Sequence, residues 1–177
     1  MDRIRKWSIA GVVITLVTGT LLHFVHEWFG GGFWASIGAV NESTWEHLKL
    51  IFWPMFLFGI VEYIAYGRKT PGFLPAKFFS VLLGMSTIVV LFYTYTGILG
   101  YHIPLVDIFL FIIGTVRAYI FLNRKLSKPP KLYSASWASV VFGLLLLALA
   151  VCFVMFTFVP PHIGLFLDPV SHTYGLS

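Results

Sequence analysis

Five long apolar runs decide what this chain can become. They span roughly Trp7–Trp28, Leu48–Tyr66, Phe78–Leu99, Pro104–Leu122 and Ser136–Val159. About 20 mostly apolar residues cross the hydrocarbon core of a bilayer as one helix. Inside that core every backbone N–H and C=O must find its partner within the segment, which selects the helix. Only 11% of the 177 residues are charged, whereas a soluble domain carries about 25%. Such a chain could not cover its apolar surface in water. The expected fold is therefore all-α: one integral membrane bundle over residues 1–177, with an outer tail at 160–177.

Punctuation supports these bounds. Gly30–Gly32 stop the first run, "GRKTPGFLP" follows the second, "GYHIP" parts the third from the fourth, and "NRKLSKPPK" follows the fourth. Pro160 and Pro161 close the fifth. "MDRIRK" before an apolar run looks like a signal peptide. The run is too long for that and has no A-x-A-like cleavage site, so it reads as a retained first span. Pro54 should bend the second span. Ala135, Ser139 and Gly143 recur every fourth residue, which suits close packing of the fifth. The lone Cys152 lies in "LLLLALAVCFVMF" and reads as small core filler; there is no disulfide framework.

Charge sets the expected orientation. Arg3, Arg5, Lys6, Arg68, Lys69, Lys77, Arg124, Lys125, Lys128 and Lys131 all fall before span one or in the connections between spans two and three and between four and five. With five spans these segments share one side. The positive-inside rule puts that side, and the amino terminus, in the cytoplasm and the carboxyl terminus outside a multi-pass cell-membrane protein. Anionic headgroups then account for the net charge of +5 without a nucleic-acid partner.

The opposite side collects the reactive groups. All six histidines and five acids (Glu27, Glu42, Glu46, Asp107, Asp168) fall at outer span ends or in outer segments. In "LLHFVHEW", His23, His26 and Glu27 share a helix face, and ionisable groups at such depth usually face a bundle interior or a wet cavity. In "NESTWEHLKL", Ser43 and Glu46 form the capping-box pattern at the start of span two, with Trp45 as an interfacial anchor. Capping leaves Asn41, Glu42, His47 and Lys49 unexplained. The connection from Phe29 to Val40 is short, so spans one and two should be antiparallel neighbours. That brings His23 and Glu27 toward Glu42, Glu46 and His47.

Two histidines with two or three carboxylates suit zinc or another divalent ion with one position open to water. A remaining carboxylate can serve as general base. The tail adds His162, Asp168 and His172, and its prolines and apolar residues suggest a segment folded over the outer mouth, either as a lid carrying Asp168 or as a surface plug. At the inner end, Glu62 and Arg117 lie at similar depth, and a mutual ion pair is the economical expectation.

The run "NESTWEHLKL", with "LLH" and "EW" in span one, the later "P" and "EY", and the terminal "PPHIGLFLDP…YG", resembles a family of small bacterial polytopic membrane proteins catalogued as a domain of unknown function. The resemblance covers nearly the whole chain. It implies that His23, Glu27, Asn41, Glu42, Glu46, His47, Lys49, Glu62 and Asp168 are the positions of interest. The family often carries tyrosine where His26 stands.

Three functions remain open. One is a metal-dependent hydrolase at the outer leaflet acting on a lipid, lipid-linked or other small-molecule ligand. Its metal would be held by His23, Glu27, Glu46, His47 and Asp168, with Glu42 as base and Lys49 binding an anionic group. Another is a proton- or cation-coupled transporter using the same groups, although few polar residues continue inward and no repeat is visible. The third is a non-catalytic scaffold or sensor. The sequence shows no nucleophile elbow, phosphate loop, dinucleotide fingerprint or haem motif.

Overall fold

A computed structural model describes residues 2–176, leaving only Met1 and Ser177 of the expected domain outside. It is all-helical apart from one isolated bridge. Helix α1 covers Asp2–Phe29, α2 Gly31–Ile37, α3 Thr44–Ala65, α4 Phe73–Leu99, α5 Pro104–Ser127 and α6 Ser136–Phe158. All but α2 are long and apolar enough to cross a membrane.

Two bounds differ from the sequence reading, and both matter. Helix α4 begins at Phe73, so Lys77 lies inside a helix and is buried; the sequence had placed it in a basic loop. Helix α2 was not foreseen. Gly30 and Gly31 take positive φ of 61° and 77°, a conformation costly for other residues, and so turn the chain directly from α1 into a short helix.

Helix α3 is the axis of the bundle. Ile51, Phe52 and Met55 on it are wholly buried, and α1, α4 and α6 pack around it. Along α1, Ile9, Val13 and Val17 stay exposed at helical spacing, which marks a lipid-facing stripe. The opposite face carries small residues. A Cβ on Gly19 would stand 2.3 Å from the Leu50 carbonyl oxygen and 2.7 Å from the Phe111 ring. Glycine there lets the α1 backbone touch α3, as small residues do between membrane helices. Gly19→Val is expected to lower stability by about 1–3 kcal/mol through overpacking, read as a fall in the thermal unfolding midpoint of the purified protein. By contrast, the expected close-packing position Gly143 has Leu74 at 3.4 Å, an unforced contact.

The expected Glu62–Arg117 pair does not form. Arg117 is exposed. Glu62 Oε2 accepts from Lys77 Nζ at 2.6 Å, and its Oε1 accepts from the Tyr66 hydroxyl at 3.0 Å. Arg117 and Glu62 match in depth, but they differ in helix face. Lys77 reaches Glu62 through a gap beside Gly59, where a Cβ would meet Lys77 Cε at 2.7 Å.

Candidate functional site

The site is built at the start of α3. Ser43 is the N-cap, and its Oγ accepts from Glu46 N at 3.3 Å. The second half of the expected capping box is absent. Asn41 Oδ1 takes the Ser43 N–H instead, and Glu46 turns to Val40 N at 3.1 Å and Lys49 Nζ at 2.6 Å. The next free donor of the helix, Trp45 N, is met by the tail carbonyl of Leu165 at 3.0 Å. Together these contacts satisfy orphan donors that every helix start leaves open. Trp45 itself is buried, with its ring 4.4 Å from Phe153 and 4.8 Å from Phe166. It is a core residue rather than an interfacial anchor.

Three of the expected residues converge. His47 Nε2 lies 3.4 Å from one oxygen of Glu42, and His23 Nε2 lies 3.9 Å from the other. One donor atom from each of His23, Glu42 and His47 falls within 4.8 Å of the other two. The imidazoles lie side by side with centroids 5.3 Å apart. His47 Nδ1 is 3.0 Å from the Ser43 carbonyl oxygen. A carbonyl only accepts, so Nδ1 carries the proton and a neutral ring turns the lone pair of Nε2 toward Glu42.

The other expected site residues are not part of this group. Glu27 is exposed on α1. Glu46 and Lys49 are buried and pair with each other; Lys49 Nζ also donates to Ala35 O at 2.9 Å and Gly38 O at 3.3 Å. Lys49 thus ties the end of α2 to α3 and has no reach to an external anion. Asp168 organises the tail. Its carboxylate accepts from Val170 N and from the Ser171 hydroxyl, at 2.9 and 2.6 Å. His162 stacks on Tyr174, and Leu167 bridges Tyr174. Asn41 Nδ2 donates to Gly175 O at 2.9 Å, which fastens the tail to the site loop.

Burial by itself would raise the Asp168 pKa. Hydrogen bonds from Ser171, Val170 and the Glu42 backbone outweigh it and hold the carboxyl below its usual range. The sign follows from linkage: with the folded pKa depressed, the contribution to stability is full above the unfolded value of about 3.9. It fades as pH falls through the folded pKa. Tail protection in hydrogen exchange should hold steady from neutral pH to about 5 and drop only below about 4. In Asp168→Asn it should be weak at every pH.

Glu42 and His47 open into a cavity of about 320 Å³ between α3, α4 and α5. Leu50, Ile88, Phe92, Leu110 and Phe111 form its apolar walls, and Pro169 and Val170 of the tail cover it. The lid is therefore apolar, with Asp168 bracing it from behind. Across the cavity stand His102 and Asp107, which the sequence reading set on the same side but outside the site. His102 Nδ1 lies 3.0 Å from Asp107 Oδ2, and the Tyr95 hydroxyl donates to Asp107 Oδ1. A histidine five residues before an acid in the first turn of a helix was the available signal. It takes the α4–α5 turn to bring the two together.

The chain is thus a helical multi-pass membrane protein with a histidine–glutamate cluster at the mouth of an apolar cavity. It belongs to the family of unknown function DUF6512, which it matches over residues 1–176. Comparison with curated proteins and with solved structures finds no match.

Proposed function

We propose that this is a metal-dependent hydrolase of the membrane, with a divalent ion held by His23, Glu42 and His47 and an amphipathic, lipid-like substrate in the adjoining cavity. One observation carries the reading. A neutral His47 directs the Nε2 lone pair at a carboxylate 3.4 Å away, which is repulsive unless a cation lies between them. Two donors at about 2.1 Å from a tetrahedral zinc sit about 3.4 Å apart. The Ser43 carbonyl plays the part usual for metal-bound histidines, fixing the ring through its other nitrogen. Three protein ligands and an open position favour a catalytic ion over a structural one. Such an ion acidifies water and polarises a carbonyl.

Glu42 thereby changes role, from the expected base to a ligand. The positive-inside rule favours an extracytoplasmic site, because the exposed Arg and Lys residues of the connections lie at the opposite end of the bundle. A carrier reading has less support: at the basic end Glu62, Lys77 and Tyr66 are saturated by one another. Elemental analysis of purified protein is expected to find about one zinc per chain. His47→Ala and Glu42→Gln should each weaken zinc affinity by more than about 100-fold, the upper range for loss of a mere supporting contact. Equal zinc in wild type and His47→Ala would refute the assignment.

A further inference from the structure

The cavity says more about the substrate than about its lipid character. No Lys or Arg is among the residues that line it. The nearest one in sequence, Lys49, is spent on Glu46 and two carbonyl oxygens. Two carboxylates, Glu42 and Asp107, do line it. A divalent ion at the cluster would balance those two charges and leave nothing to offset more. A phosphate monoester would add about two negative charges to a partly apolar space where unpaired charge is costly. A neutral carbonyl compound adds none.

The volume, about 320 Å³, is near the lower end for small-molecule sites. From Asp107 to Phe111 the wall descends one helical turn, about 6 Å. The compartment therefore suits one short apolar group, or the first part of a longer one.

Resting on the metal reading above, we infer that the site takes an uncharged acyl ester or amide with a slender apolar group and rejects phosphate esters, and that His102 carries the proton. Asp107 holds the Nδ1–H of His102, so Nε2 is the basic nitrogen, in the base-and-orienter arrangement of hydrolytic sites. In the step, a water oxygen bonds to the carbonyl carbon and the bond from that carbon to the alcohol oxygen or amine nitrogen breaks. One water proton passes through His102 to the leaving group, giving a carboxylic acid and an alcohol or amine. No oxidant or reductant is involved.

The test uses zinc-loaded full-length protein in lipid nanodiscs, so that detergent does not fill the cavity. Binding of straight-chain hydroxamic acids is measured by calorimetry against alkyl phosphates of matched length. Each added methylene should tighten hydroxamate binding by about fourfold until the cavity is full, with the phosphates at least about tenfold weaker. Leu110→Phe should shorten the chain length at which the gain stops while leaving acetohydroxamic acid unchanged. His102→Gln should bind hydroxamates normally yet hydrolyse p-nitrophenyl hexanoate about 100-fold more slowly.

Tighter binding of phosphates, a chain-length profile indifferent to Leu110→Phe, or unimpaired hydrolysis by His102→Gln would each overturn the inference. If zinc binds and no hydroxamate does, the substrate assignment fails while the metal site stands. If the protein takes up no zinc, the metal reading fails first.

Discussion

Lys49→Met is expected to destabilise the protein by about 3–5 kcal/mol, the range for breaking a buried ion pair from one side. The Lys49 side chain is 0% exposed and that of Glu46 2%. Removing the ammonium leaves the Glu46 carboxylate with only the Val40 N–H and frees two carbonyl oxygens at the end of α2. In a membrane interior no water compensates such groups. Equilibrium unfolding in mixed micelles would measure the loss. The double variant Glu46→Gln, Lys49→Met should recover much of it, because an unpaired charge costs more than a missing pair. The loss should also reach the cluster: Glu46 anchors Val40, two residues before Glu42, so zinc affinity should fall in the single variant. A single variant as stable as wild type would show that the pair does not organise this end of the bundle.

A comparable effect is expected at the other end. Lys77→Met should cost about 3–5 kcal/mol, while Arg117→Gln should be indistinguishable from wild type. Lys77 is the partner of Glu62 at 2.6 Å and lies 5.0 Å from the centre of the Tyr119 ring. Tyr119 in turn meets Thr15 of α1 at 3.1 Å. This polar knot joins α1, α3, α4 and α5 within the apolar interior, and losing the one cation strands Glu62. Arg117 is exposed and supports nothing there. The same unfolding measurement on both variants separates the two pairings; a large loss in Arg117→Gln with none in Lys77→Met would restore the pairing by depth.

The contrast shows where sequence reading reached its limit. Glu62 was recognisable as a buried acid in need of a cation, because a lone carboxylate deep in an apolar run has few alternatives. Its partner was not recognisable. Lys77 follows "GRKTPGFLPA" and looks like loop, since nothing local announces that α4 starts four residues before it. Arg117 sits in an apolar run and looks buried, yet a long side chain can keep its charge clear of the bundle interior. Similarly, Glu46 and Lys49 look available beside His47, and only the path of α2 beneath them shows that they are consumed.

The sequence alone determined five spans, their alternating direction, and the gathering of histidines and acids at one end, because these follow from local hydropathy and from the short connections that make α1 and α3 neighbours. That was enough to bring His23, Glu42 and His47 together. Tertiary structure decided which charge meets which, that Asp168 braces an apolar lid, and that His102 and Asp107 share the cavity. Such pairings depend on helix rotation and side-chain reach, which change across a single turn while the hydropathy of the segment stays the same.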